Sequence, residues 1–114
     1  IIVSPGGDNI SPAKIENQLS NSLEIEQAMV FGDGKNYLVA LIVPSKDFSE
    51  QKEKINEVVN KINNNLTIVE KIKKFKIIKE SFTIENDLLT PTMKVKRNKV
   101  ILKYKNVLES FYKK

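Results

Sequence analysis

Residues 37–43 read Tyr-Leu-Val-Ala-Leu-Ile-Val, seven apolar side chains in a row. A strand sends successive side chains to opposite faces. A strand that is apolar on both faces belongs inside a sheet, covered on each side. The turn-rich connection Gly32-Asp33-Gly34-Lys35-Asn36 precedes it, and the β-rich stretch IEQAMVF precedes that. The spacing predicts a hairpin whose second strand is central and ends at Pro44. Seven residues fall far short of the roughly 20 that a membrane-spanning helix needs.

The remaining pattern supplies the covering elements. Ser11-Pro12 is a helix start, with Ser as the N-cap and Pro in the first turn. Ile10 and Ile15 are placed for a hydrophobic staple. Ile15, Leu19 and Leu23 repeat at helical spacing, which predicts a helix over about 12–21. A second helix is expected over 48–63, with Ile55, Val58, Val59 and Ile62 on one face and Asn63-Asn64-Asn65 as its breaker. A short helix at about 66–73 and a strand in KFKIIKE, with Phe75 and Ile77 on one face, follow. Turn residues Asn86-Asp87 and Pro91 mark an irregular stretch. The last helix, about 97–112, carries Val100, Tyr104, Val107, Leu108 and Phe111 as a core-facing stripe. The expectation is one α+β domain. It has a roughly three-stranded antiparallel or mixed sheet, flanking helices and a short N-terminal β-turn or hairpin.

Composition narrows the chemistry. The 114 residues contain neither Cys nor His. Disulfides, thiolate metal sites and His-based catalytic pairs are excluded. No Asp/Glu pair has a spacing that argues for a metal. The net charge of +5 is uneven: residues 94–114 hold eight Lys or Arg and one Glu. Such a segment is either a solvated helix face or an attractor of phosphates. Gly6-Gly7 precedes a helix start, but neither G-x-x-x-x-G-K-[ST] nor G-x-G-x-x-G is present. Glu16, one turn past the cap, reads on residues alone as a solvated acid favoured by the helix dipole rather than as an acceptor of backbone N–H bonds. Lys94 follows a Thr-Pro-Thr loop, where a flexible cation can meet a developing anion without any proton transfer. On residues alone the reading ends at an α+β domain with a basic end.

Two separated stretches then point the same way. IIVSPGGDNISPAKIE, residues 1–16, resembles the segment after the hinge of adenylate-forming enzymes, G-x-x-[IV]-[SP]-P-x-[ED]-[IV]-E. Gly7, Ile10, Ser11, Pro12, Ile15 and Glu16 match, while Lys14 departs at an acidic position. LTPTMKVKR, residues 89–97, resembles the family's last motif, a Thr- or Pro-containing loop ending in Lys, an apolar residue and then Arg. Lys94, Val95 and Arg97 match, and Met93 stands where most members have Gly. AMVFGDGKNYLVALIVP between them is similar to the long-chain fatty acyl-CoA synthetase branch.

The resemblance implies a C-terminal lid domain, residues 1–114, cut just after the hinge from a larger N-terminal adenylation domain that is its partner. It implies a ligase that uses ATP, Mg2+, a fatty acid and coenzyme A, none of them expected on the lid by itself. Lys94 would be catalytic in adenylate formation. Ser4, Pro5, Gly6, Gly7, Asp8 and Asn9 would line the pantetheine tunnel in thioester formation. Glu16 and Arg97 would support the loops, with Arg97 anchoring the following helix. No resident metal and no nucleic acid are expected. A cytoplasmic location is expected, with peripheral membrane association of the whole enzyme left open. The lid of a short-chain, aryl or peptide-synthetase enzyme remains the alternative, and a small basic nucleic-acid module the more distant one.

Overall fold

The computed structural model describes residues 1–113. A two-stranded antiparallel hairpin opens the chain, β1 (Ile2–Val3) and β2 (Asn9–Ile10). Helix α1 (Pro12–Ser20) follows, its N-cap Ser11 accepting from the Lys14 N–H. The main sheet contains β3 (Ile25–Phe31), β4 (Leu38–Pro44) and β5 (Ile72–Ile77), in the order β3-β4-β5. The hairpin pair β3-β4 is antiparallel, and β4-β5 is parallel. Helix α2 (Lys52–Asn63) makes the crossover. Helices α3 (Arg97–Lys103) and α4 (Lys105–Ser110) close the chain.

Every residue of β4 is buried, and its side chains alternate between two cores. Leu38, Ala40 and Ile42 join Ile15 and Leu19 of α1 and Ile55 and Val59 of α2. Val39, Leu41 and Val43 join Phe82, Leu88, Leu89, Val100 and Leu108 on the opposite face. Ala40 apart, each such side chain contributes about 1.5–3 kcal/mol by leaving water. The apolar run therefore requires both helical layers.

Several boundaries differ from those the sequence suggests. Helix α1 ends at Ser20, so Leu23 lies outside it and is 78% exposed. The stretch before α2 is a single 3-10 turn, Lys46–Phe48, and Gln51 in a non-helical conformation delays the helix to Lys52. The short helix at 66–73 is likewise one 3-10 turn, Ile68–Glu70, closed by a Thr67–Glu70 capping box. Asn63, the last residue of α2, reaches across that stretch. Its side-chain amide donates to the Ile72 carbonyl (2.9 Å) and accepts from the Ile72 N–H (2.8 Å), so Ile72 enters the sheet early. The last helix is interrupted at Tyr104 (φ −106°, ψ 25°). The bend keeps Val100, Tyr104, Val107, Leu108 and Phe111 on the same core. Tyr37 stacks on Tyr112 at 4.9 Å and donates to the Phe111 carbonyl, tying the chain's end to the start of β4.

Gly32, where β3 leaves the sheet, lies so close to β4 that a Cβ there would sit 2.5 Å from Leu38 Cδ2 and 3.0 Å from the Tyr37 carbonyl oxygen. The buried Leu38 side chain has to shift, and the Tyr37 carbonyl and the Leu38 Cα, 3.2 Å away, belong to the backbone at the start of β4. Gly32→Ala is expected to cost about 1–3 kcal/mol. Thermal unfolding should then show a midpoint lowered by about 4 °C per kcal/mol for a domain of this size.

Candidate functional site

Two loops of this fold are built to one plan. In the first, Ser4-Pro5-Gly6-Gly7-Asp8, the Gly7 N–H donates to the Ser4 carbonyl and the Ser4 N–H to the Asp8 carbonyl, each at 2.9 Å. The Asp8 N–H donates back to Ser4 Oγ at 3.0 Å. In the second, Thr90-Pro91-Thr92-Met93-Lys94, the Met93 N–H donates to the Thr90 carbonyl and the Thr90 N–H to the Lys94 carbonyl, each at 2.8 Å. The Lys94 N–H donates to Thr90 Oγ1 at 3.0 Å. Both are three-residue hairpin loops with Pro at the start and a positive φ at the third position. Gly7 takes φ 88° and Met93 φ 67°. Met93 thus takes, at a strain cost, a backbone conformation that Gly7 adopts freely.

Lys94 therefore combines a locked backbone with an exposed side chain. Its neighbours are tied down. Asp87, itself at φ 67°, pairs with Lys96 and, at 3.3 Å, with Lys99. Hydrogen bonds from Lys96, and then from Lys99, hold the Asp87 carboxyl below the usual carboxylate range. The segment beneath the loop is also fixed. Gln27 of β3 exchanges two hydrogen bonds with the Phe82 backbone, and Asn86 bonds the backbone of Ser81, Thr83 and Leu88.

Glu16 is not the solvated first-turn acid that residues alone suggest. Its carboxylate accepts from Arg97 Nη1 at 2.6 Å and Nη2 at 2.8 Å, and from the Val30 N–H at 2.7 Å. Arg97 Nη1 also donates to the Val30 carbonyl at 3.2 Å. The carboxylate is mostly buried, its side chain only 13% exposed. The hydrogen bonds that Arg97 donates to Glu16 hold its guanidinium pKa above the ordinary value, against the opposing effect of burial. One forked ion pair thus joins α1, the open edge of β3 and the start of α3.

Lys94, Glu16 and Arg97 line one cleft of about 560 Å³ with Gln27 and Met93. Ser4, Pro5, Gly6 and Asp8 line a second, of about 300 Å³, with Lys35 and Tyr37. Asn9 is exposed in β2. Apart from Gly7 and Asn9, which line neither, the residues singled out from the sequence thus form two groups on separate clefts. Asp87, Gln27, Asn86 and the hydroxyls of Ser4 and Thr90 escape sequence reasoning. The one legible signal is the repeated Ser/Thr-Pro-x-x spacing of the two loops. Among the described residues no acidic cluster could hold a metal ion.

A family model described as the AMP-binding enzyme C-terminal domain matches residues 1–114. The chain belongs to that family. A long-chain-fatty-acid–CoA ligase of Mycobacterium tuberculosis is 35% identical over 136 residues, spanning 100% of this chain and 23% of the ligase. The probable acyl-activating enzyme 16 of Arabidopsis thaliana, chloroplastic by name, is 34% identical over 131 residues, 98% of this chain and 18% of that protein. This C-terminal domain thus spans about a fifth of the length of the curated relatives it matches. Some of these relatives are chloroplastic by name, so the expected cytoplasmic location is not common to all of them. The solved A-PCP didomain of a carboxylic acid reductase from Segniliparus rugosus, in complex with AMP, superposes with a TM-score of 0.87 at 27% identity. The match covers 97% of this chain and 17% of that one. Among the described residues no helix is long and apolar enough to cross a membrane.

The ion pair of this C-terminal domain makes a direct prediction. Arg97→Lys keeps the charge but loses the fork. It should destabilise the domain by about 1–2 kcal/mol, read as a lower thermal midpoint. Asp87 yields a pH dependence. Because its folded pKa is depressed, its contribution is complete above the unfolded value of about 3.9 and is lost as pH falls through the folded value. The difference in thermal midpoint between wild type and Asp87→Asn at pH 6 should therefore vanish by about pH 2. A difference that persists unchanged in acid contradicts the assignment.

Proposed function

We propose that this domain is the mobile C-terminal part of an ATP-dependent long-chain fatty acid–CoA ligase, and that Lys94 is the residue it supplies to acyl-adenylate formation. The observation that carries this reading is the state of Lys94. Among the described residues its ammonium has no ion-pair partner, while Lys96 and Lys99 beside it both pair with Asp87. This cation stands on a backbone held at both N–H and carbonyl.

In the first half-reaction a carboxylate oxygen attacks the α-phosphorus of ATP and pyrophosphate leaves with the bonding electrons. Two anions must approach, and Lys94 offsets their repulsion without giving or taking a proton. Its flexible stem delivers a compact charge. Mg2+, bound with the nucleotide in the larger part of the enzyme, supplies further charge neutralisation there. In the second half-reaction the thiol of coenzyme A attacks the acyl carbon and AMP leaves. The Ser4–Asn9 loop faces that site, where Gly6 and Gly7 leave room for a thin ligand. Within the domain nothing lies within 4 Å of a Cβ built at Gly7. That the two loops line separate clefts supports two orientations, one for each step.

In the full-length enzyme, Lys94→Ala should slow adenylate formation by roughly 10²- to 10³-fold. Thioester formation from supplied acyl-adenylate should stay near the wild-type rate. Equal loss of both steps rules the role out. The 114 residues by themselves should fold yet make no acyl-CoA, and its appearance with the purified chain would contradict the proposal.

A further inference from the structure

Met93 is out of place twice over. It is a non-glycine residue at φ 67°, and its apolar side chain is 65% exposed. The loop geometry does not require it, because the equivalent loop places Gly7 at the same position. Neither hydrophobic core of the described residues includes it. A strained and exposed apolar residue points to a contact outside the domain that contains it. The adjacent residue says where. The Cα atoms of Met93 and Lys94 are one peptide apart, about 3.8 Å. Both residues also line the same cleft, so a surface that covers that cleft meets Met93 as well as Lys94.

We infer that Met93 is an interface anchor. Its side chain seats against an apolar surface of the larger, ATP-binding portion of the whole enzyme when Lys94 enters the adenylate-forming site. This rests on the role proposed for Lys94. The thioether chain is unbranched and adapts to an irregular surface. The contact exists in one orientation only. When the Ser4–Asn9 loop faces the site, from its own cleft, Met93 returns to water. A contact made in one state biases the equilibrium toward that state. Met93 thus holds the domain in the adenylate-forming orientation and acts as a positioning residue, not as a catalytic one.

The test uses the full-length enzyme and two substitutions. Met93→Asn keeps a residue tolerant of positive φ and removes the apolar contact. Met93→Leu keeps an apolar side chain of similar size. The asparagine variant should form adenylate about tenfold more slowly, the loss expected for one buried apolar anchor. Its thermal midpoint should not fall, and its thioester formation from supplied acyl-adenylate should be unchanged or faster. The leucine variant should adenylate within about twofold of wild type. Wild-type adenylation by Met93→Asn, or a leucine variant as slow as the asparagine variant, overturns the inference. If Lys94→Ala is slow while Met93→Asn is not, the role of Lys94 stands and that of Met93 falls. If Lys94→Ala adenylates normally, both fall.

Discussion

The Glu16–Arg97 pair holds this domain's functional parts in one frame. Glu16 lies in the helix that follows the Gly-Gly hairpin, and Arg97 lies three residues after Lys94. Between them the Val30 N–H and carbonyl, on an edge strand with no further neighbour, are both satisfied. An unpaired edge is a place where another strand can add, and here a carboxylate and a guanidinium occupy it instead. The geometry is demanding. The carboxylate takes both arms of the fork and one backbone N–H, so loss of any member leaves a mostly buried charge short of a partner. The pair is therefore a joint between three elements that share no sequence proximity.

That joint works because the sheet behind it is stiff. The alternation of β4 between two cores makes the strand common to both layers. A displacement of α1 or α3 has to disturb packing on its own side of β4. The tie from Gln27 to Phe82 extends the same rigidity to the irregular stretch before the Lys94 loop. The stretch that leads into the Lys94 loop is thus tied to the same sheet as the helices.

The elements whose apolar pattern is set by burial were legible in the sequence. The central strand, the N-cap at Ser11, the second helix's apolar face and the stripe from Val100 to Phe111 all depend on side chains meeting a core, which periodicity records. Boundaries were less legible because polar side chains decide them. Asn63 stands in for a strand partner of Ile72, and the Thr67–Glu70 box closes a turn after one cycle. The parallel pairing of β5 could not be read from its own residues, since direction depends on the crossover. At the site, Lys94 and the Gly-Gly loop were visible only through family resemblance. Glu16 was misread on residues alone because its partner, Arg97, lies 81 positions away, and no local pattern encodes such a separation.

The two matching loops show how one backbone plan serves opposite mechanical ends. Each begins with a hydroxyl residue and Pro, and each folds its fifth residue back onto that hydroxyl. In the first, Gly6 and Gly7 leave the loop free to adopt other conformations, because glycine crosses between negative and positive φ at little cost. In the second, Thr92 and Met93 narrow that freedom, and the Thr90 and Thr92 hydroxyls, 3.0 Å apart, add a further link. A loop that must make room for a ligand benefits from the first composition. A loop that must aim a single charge benefits from the second, since a cation displaced by an ångström loses much of its effect. Met93 takes its positive φ at a strain cost, so the hydrogen bonds that Thr90 exchanges with Met93 and Lys94 keep this loop in place.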